Sequence, residues 1–562
     1  MGRWGIGVAI SPFREEDYDF APTERASLGG GPANPYQPVW RRPICAAVGI
    51  LLGLAGGLGN ALISVNTSKL LGALGLEPNQ IAWIPTVYSM TYLSMNLLLV
   101  RFRQQYGLRL FSLIGLGSFC AIMLLHLAVS GFGSALVIHA AAGCAAAPLT
   151  SLSVYYLMSA FPPPKAIGGV VLGLGITQIP TPLARMLSSD LLALDQWRSL
   201  YGFEFGLALA CLGCVLLVRL PPSKREPAFE RLDFITYPLV AIGLALLCAV
   251  TGMGRYEWWF DKEWLGWTLA AAIPLLAVGF YIEANRARPL LDLRWLATPD
   301  LVRFTVVAVV ARIVLAEQST SVIGLLGVLG VDNDELRFFS FLLVAASAAG
   351  ALTATLLFRP GRITSFGALA IALVAIGAFF DSGATNLTRA PDLYISQILI
   401  AFASTLFVGP AILFGITFVL QAKGRTLPSF LVLFAVIQNL GSLIGGALLG
   451  TYQIIREKAA SVLLVGQLKG FDPQVAARLR GLGASLAGAD PDAASRSAQG
   501  TALLHQQMTR EATIVAYDDT FRLVALIATA TTAYLLIMIL RHWRRGEPLS
   551  AAAMAISKRA AA

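Results

Sequence analysis

Between residues 44 and 541 the chain returns repeatedly to apolar runs about as long as a bilayer is thick. Windows bounded by charges and turn residues fall at 44–66, 81–100, 109–129, 134–158, 166–188, 200–219, 234–253, 264–282, 304–326, 337–357, 363–381, 392–419, 429–453 and 521–541. Hydrocarbon offers no partner to a bare peptide group, so each such run of about 20 residues must be a helix that satisfies its own backbone. The predicted fold class is all-α, a polytopic membrane protein with fourteen transmembrane helices. Hydrophobic residues make up 56% of the chain and charged residues 13%, against roughly 45–50% and 25% in soluble domains. That bias extends over the whole length, which excludes a soluble enzyme, a disordered regulator and a nucleic-acid module.

The spans divide as six, two and six. A polar N-terminal tail is expected over 1–43, a six-helix bundle over 44–219, a central two-helix insertion over 234–284, a second six-helix bundle over 304–541 with a long loop at 454–520, and a tail over 542–562. Lys and Arg set the orientation, because short cytoplasmic loops keep positive charge. Arg41, Arg42, Arg101, Arg103, Arg109, Arg286, Arg288, Arg359, Arg362, Lys423, Arg425 and the end from Arg541 share one side; the other, its long loop aside, holds Lys69, Arg198, Arg255, Lys262, Arg337 and Arg389. Both termini are therefore expected in the cytoplasm, and the net charge of +10 reads as topology. Within 454–520, Asp472–Pro473 and Asp490–Pro491 read as helix starts. Apolar Leu504, Met508 and Val515 then suggest a helix leading into the last span.

Nothing in the sequence resembles a catalytic or cofactor site. The glycine runs at 53–59 and 168–175 lie inside apolar spans and lack the Lys of a phosphate loop. No HExxH occurs, and Cys211 and Cys214 form a CxxC without a second ligand pair. No metal, no cofactor and no nucleic-acid partner is expected. Without a nucleotide site, transport would draw on an ion gradient or run downhill.

Charges within spans are expensive and therefore point to function. Four stand out: Arg185, Glu204, Arg312 and Glu317. Glu317 follows Arg312 by five residues, about 140° around a helix, so each should find its partner on another helix. A carboxylic acid can take and release protons in a low-dielectric interior, which makes Glu317 the first candidate for proton traffic, with Glu204 second. Arginine keeps its proton, so Arg185 and Arg312 are expected to bind anions or neutralise acids. Amide side chains at Asn60, Asn66, Gln178, Gln318, Gln438 and Asn439 add candidates, about half of them for the central path; a buried His139 reads as core. Trp83, Tyr88, Tyr155, Tyr156 and Trp267 near span ends suggest an interfacial belt.

Several segments, in this order, resemble the fourteen-span drug/proton antiporters (EmrB/QacA type) of the major facilitator superfamily: LEPNQIAWIPTVY at 76–88, RFRQQYGLRLF at 101–111, FPPPKAIGGVVLGLGITQIPTPL at 161–183, DQWRSLY at 195–201, RPLLDLRWL at 288–296 and YDDTFRLVAL at 517–526. The resemblance implies a major facilitator fold and alternating access between two bundles. It also implies export of an amphipathic organic compound or drug by proton antiport, with a periplasmic adaptor of a tripartite efflux system as partner on the long loop; the embedded Arg185 and Arg312 point to an anionic cargo, and the Arg-over-Lys bias and Ala richness to a bacterial inner membrane. Gly107 and Arg109 match the family's gating loop, whose Gly and Asp are replaced here by Val100 and Gln104. Gly59, beside Asn60, stands where the family has its first-span acid; Arg185 and Met186 stand where the fifth span has a glycine pair; Gln438 replaces an Arg. With these positions altered, an importer or facilitator of a small metabolite, and a non-transporting scaffold or sensor, are the alternative functions.

Overall fold

The computed structural model describes residues 35–191, 197–221, 225, 227–357, 363–422, 426–468, 473–485 and 492–545. Most of both expected tails, Asp472, Asp490–Pro491, and the basic residues Arg359, Arg362, Lys423 and Arg425 lie outside the described residues. Those described form helices and turns, with no strand among them. The first group comprises α1 (Arg41–Val65), α2 (Thr67–Leu74), α3 (Pro78–Tyr106), α4 (Leu108–His126), α5 (Phe132–Ala160), α6 (Ala166–Ile176), α7 (Pro180–Leu191) and α8 (Trp197–Leu217). A pair follows, α9 (Asp233–Met253) and α10 (Glu263–Ala284), then short α11 (Leu293–Leu296). The last group comprises α12 (Pro299–Leu315), α13 (Ile323–Val328), α14 (Arg337–Leu356), α15 (Ile363–Asp381), α16 (Tyr394–Gln421), α17 (Leu427–Gln467), α18 (Pro473–Ala484) and α19 (Ala493–Arg545).

Eleven described helices are long and apolar enough to cross a membrane, twelve when the pair α6–α7, bent by 43°, is taken as one span. Two further runs read as spans in the sequence fall short of that standard. The run at 81–100 lies in α3, which carries Asn96, Arg101 and Arg103; that at 304–326 is divided between α12 and α13 by a π-helical turn at Gln318–Val322. Apolar side chains such as Leu217, Phe234, Trp267 and Ile273 are exposed on the outer surface, a coat that only lipid can cover. This is a multi-pass membrane protein.

The two groups form two bundles. α1, α3, α5 and α8 enclose one core, with Leu52, Leu149, Leu152 and Tyr156 at its centre. α12, α15, α16, α17 and α19 enclose another around Ile371, Ile412, Phe430 and Val524. The bundles meet along two seams: α6 and α7 pack on α14, and α3 packs on α17 with α9 covering the join. In the long connection, Pro473 opens α18, which packs on α19; α19 itself runs unbroken from Ala493 into the last span.

Hydrocarbon provides little drive for helices to associate, so small residues that allow close approach set the packing. A Cβ on Gly143 of α5 would lie 2.3 Å from the Tyr88 carbonyl oxygen of α3, and one on Gly350 of α14 would lie 2.3 Å from that of Phe402 of α16. Neither carbonyl is free to retreat, being part of its own helix. Gly143→Ala and Gly350→Ala are each expected to destabilise the fold by about 1–3 kcal/mol, read as a lowered thermal midpoint in detergent, whereas Gly117→Ala, with open space around it, should leave the midpoint unchanged.

Candidate transport site

A cavity of about 420 Å³ lies between the bundles, bordered by α1, α3, α5, α6, α7, α12, α16 and α17. Two helix breaks shape it. Pro180 has no N–H to continue the helix, so α6 ends in tight turns in which Gln178 N donates to Gly175 O (3.1 Å) and Ile179 N to Ile176 O (3.1 Å). The bend turns the Gln178 side chain into the cavity, where its Oε1 accepts from Arg312 Nη1 at 3.0 Å. This contact joins one bundle to the other through the middle of the molecule. Gly441 makes room for Arg312: a Cβ there would stand 3.1 Å from the Arg312 Cβ.

The cavity wall mixes apolar residues such as Leu174, Val408 and Phe434 with polar ones, Asn60, Tyr88, Tyr92, Asn96, Gln438 and Asn439 among them. Tyr92 Oη and Thr150 Oγ1 are hydrogen-bonded at 2.9 Å, and Asn439 Nδ2 donates to Ala435 O at 2.8 Å. Asn60 Oδ1, Arg312 Nε and both polar atoms of Gln438 have no hydrogen-bond partner. Burying such atoms unpaired is costly, so they are the groups with most to gain from a polar guest. The guanidinium has no carboxylate against it, which leaves an anion as its natural complement.

At the end that carries α18, the bundles are latched. Asn66 Nδ2 donates to Ser188 Oγ (2.7 Å) and Leu62 O (2.8 Å), while Asn333, between α13 and α14, donates through Nδ2 to Val65 O (3.1 Å) and Asn66 Oδ1 (3.3 Å). Asn66 is fully buried. Lys69 and Asp334 stand 4.0 Å apart nearby, but both are exposed and such pairs contribute little.

The other sequence candidates lie outside this cavity. Glu317, fully buried at the start of the π-helical turn, accepts from Gln397 Nε2 at 3.4 Å through Oε1, and its Oε2 has no partner. The same Gln397 amide donates to Asp381 Oδ2 at 2.7 Å, and Ser396 Oγ donates to Asp381 Oδ1. Gln318 Nε2 donates to Gln397 Oε1 (3.2 Å), which fixes which way that amide faces. Two buried acids thus share one amide, with no cation paired to either among the described residues. Glu204 of α8 lies against Gly59, with both carboxylate oxygens unpartnered. Arg185 is 5% exposed on α7, its Nε unpartnered. Asn60, Gln178, Arg312 and Gln438 are brought together; Arg185, Glu204, Glu317 and Gln318 are not. Asp381 and Gln397 were not singled out in the sequence: Asp381 closes an apolar run and looks like a boundary charge.

Gly107 has φ +84° and ends α3 where α4 begins, a conformation that favours glycine; Arg109 Nε donates to Leu220 O at 3.4 Å. The stronger contact at this end comes from Arg101, which pairs with Asp233; Arg286 pairs with Asp233 (2.8 Å), Glu283 (2.7 Å) and Glu230 (2.9 Å). The interfacial belt expected from aromatics needs correction. Tyr156 is fully buried with its Oη donating to Val218 O (2.5 Å), and Tyr88 and Tyr155 border the cavity. Position along a span does not reveal which face a ring occupies; only Trp267 of the five is widely exposed.

The Major Facilitator Superfamily model matches residues 48–446. The chain belongs to this superfamily. It is therefore a multi-pass membrane protein of a transporter superfamily. It is 24% identical over 242 residues to the major facilitator superfamily multidrug transporter mfsC of Aspergillus fumigatus, a match spanning 41% of this chain and 44% of that one. Among solved structures, the human organic anion transporter MFSD10 (TETRAN) aligns with TM-score 0.52 at 13% identity over 88% of this chain and all of that one. Tetrameric PepTSo2 aligns with TM-score 0.52 at 14% identity over 90% and 99%. At these identities the likeness concerns the fold.

Removing the latch should loosen one end of this major facilitator protein selectively. Asn333→Ala deletes two hydrogen bonds, about 1–2 kcal/mol, and a shift of that size changes a two-state population by roughly tenfold. In a background free of other reactive cysteines, Ser64→Cys, which borders the cavity, is expected to label correspondingly faster with an impermeant maleimide added from the α18 side; an unchanged rate would show that Asn333 does not hold that end shut.

Proposed function

We propose that this protein is a fourteen-span secondary exporter of amphipathic organic anions, driven by proton entry, in a bacterial inner membrane with both termini cytoplasmic. The observation that carries this reading is the shared cavity, in which one guanidinium and several unpartnered amide atoms face a wall that mixes apolar and aromatic side chains with hydroxyls and amides. That lining suits a cargo with a greasy body and a single negative group. The distant likeness to a multidrug transporter supports export of such compounds.

In the cycle, residues 44–219 rock against 304–541. With the Asn66–Asn333 end latched, the cavity is entered from the end where α1 begins. An anion takes the Arg312 guanidinium from Gln178 and so breaks the one polar contact through the centre; rocking then opens the latched end. Glu317 and Asp381 couple the cycle to protons. Two acids sharing one amide repel each other when both are ionised, and a single shared proton removes that repulsion. The helical extension of α17 and α19 with α18 is the docking place for a periplasmic adaptor.

The test is transport of 8-anilinonaphthalene-1-sulfonate, a fluorescent dye with an aromatic body and one sulfonate, in proteoliposomes with an imposed pH difference. Accumulation against the dye gradient is expected in the direction opposite to proton flow. Arg312→Gln removes a charge-assisted contact of about 1.5–3 kcal/mol and should weaken dye binding roughly 10–100-fold. Glu317→Gln should abolish pH-driven accumulation while sparing dye exchange at equal pH. Dye moving with the proton would identify an importer, and transport unaffected by both substitutions would overturn the assignment.

A further inference from the structure

The bundle of α1 to α8 holds a buried carboxyl built unlike the Glu317–Asp381 pair. Glu204 of α8 is 3% exposed, and neither of its carboxylate oxygens has a hydrogen-bond partner. A Cβ on Gly59 of α1 would lie 3.8 Å from Oε2 and 3.9 Å from Oε1, which places the carboxyl directly against α1. Beside it is an enclosed void of about 10 Å³, bordered by Glu204, His126, His139, Tyr88 and Gly56 among others. That is about the space one water molecule needs.

The two histidines fix the chemistry of this space. His126 Nδ1 lies 3.1 Å from Ile122 O, and His139 Nδ1 lies 2.7 Å from Ala135 O. A carbonyl only accepts, so in each ring Nδ1 carries the hydrogen and Nε2 of the neutral imidazole is an acceptor. Nε2 of His139 is buried without a partner. The two rings meet edge to face at 4.7 Å, with Tyr201 of α8 tilted against His126 at 5.1 Å. The titratable groups facing Glu204 are thus Tyr88 from α3, His126 from α4, His139 from α5 and Tyr201 from its own helix, while α1 contributes Gly59. Arg185 on α7 makes no ion pair with it.

Glu204, with two unpartnered oxygens, and His139, with an unpaired ring nitrogen, therefore border one small and mostly apolar space, with no counter-charge among the described residues. An ion there would cost several kcal/mol, and a proton is a ligand small enough to relieve it. We propose that Glu204 and His139, joined through this void, form a second proton-binding site, separate from the cargo cavity and from the Glu317–Asp381 pair. This rests on the reading of the protein as proton-coupled. The proton is held as the O–H of a neutral Glu204 acid, and His139 Nε2 is the acceptor beside it. Tyr88 and Gly56 border both the void and the central cavity, and Tyr88 Oη donates to Gly56 O at 3.1 Å. Breaking that one hydrogen bond connects the proton site to the cargo path.

The test needs no cargo. Infrared difference spectra of the purified protein after a pH jump are expected to show the C=O stretch of a neutral carboxylic acid, with one component lost in Glu204→Gln and moved in frequency in Glu204→Asp. His139→Phe should shift the pH at which that component appears, because it removes the acceptor. If the component survives unchanged in both Glu204 variants, the proposal is overturned even where dye export stays proton-driven. Conversely, loss of the component in a protein that moves no dye would uphold the site and sink the export reading. In proteoliposomes that do export, Glu204→Gln should cut pH-driven dye accumulation by about tenfold and leave exchange at equal pH within about twofold.

Discussion

Hydrocarbon is a poor glue and a severe solvent, and this structure follows from both properties. Helices gain little by hiding leucine from lipid, so they adhere where backbones can touch. The same device appears once in each bundle. Thr91 Oγ1 donates to Tyr88 O at 3.1 Å while Gly143 closes on that carbonyl, and Thr405 Oγ1 donates to Phe402 O at 3.1 Å while Gly350 closes on it. The threonine satisfies the carbonyl within its own helix, and the glycine exploits the flat surface this leaves. Across the seam between bundles, Gly175 of α6 faces Ala351 of α14 and Gly409 of α16 faces Val171 of α6. These surfaces are smooth rather than interlocked, which suits parts that must slide.

Severity as a solvent explains where the polar groups lie. A polar side chain inside a span must face protein, and a helix break is the cheapest way to aim it. The Pro180 break presents Gln178 to Arg312, and the π-helical turn after Glu317 holds Glu317 and Gln318 toward Gln397. A π turn carries an extra residue and leaves local backbone bonds rearranged, a cost tolerated where side-chain direction matters. Both breaks lie in spans whose polar contacts cross to another helix. Straight helices, by contrast, contribute mostly packing and lipid-facing surface.

Much of the fold is written in the sequence because span length is a bulk property: about 20 apolar residues mean one helix whatever their order. Part of the site is legible for a related reason. Arg312 and Glu317 had to face different neighbours because of their helical phase, and they do, toward Gln178 and Gln397. What stays hidden is anything set by helix rotation or by contacts distant in sequence. Tyr88 and Tyr156 sit near span ends like interfacial aromatics, but rotation turns them inward. Asp381 ends an apolar run like a boundary charge, and Gln397 becomes relevant only once α15 and α16 are placed side by side. Gly59 looked like a lost acid; the carboxyl against it comes from Glu204, 145 residues later, a proximity no local pattern records.

The insertion of α9 and α10 imposes a mechanical condition on any rocking motion. At the end where α1 begins, Asp233 of α9 receives Arg101 of α3, and Arg286 gathers Asp233, Glu283 and Glu230 into one buried network, so the insertion is fastened to the first bundle. At the opposite end Trp259 Nε1 donates to Thr451 Oγ1 of α17 at 2.8 Å, the Lys458 ammonium stands 4.7 Å over the Trp258 ring, and Arg255 packs on Gly450, all in the second bundle. Back at the first end, Asp292 N donates to Ser429 Oγ of α17 at 2.9 Å, a neutral bond much weaker than the ionic network beside it. The pair therefore straddles the α3–α17 seam, held to the first bundle by the ionic network at one end and by Trp264 against Trp83 and Gly252 against Thr86 at the other, while reaching α17 at both ends. A brace of this kind permits the bundles to tilt about the seam it covers but resists their sliding past each other along it. The α3–α17 seam is the one that α9 covers, whereas at the opposite seam α6 and α7 meet α14 directly, with Gly175 against Ala351.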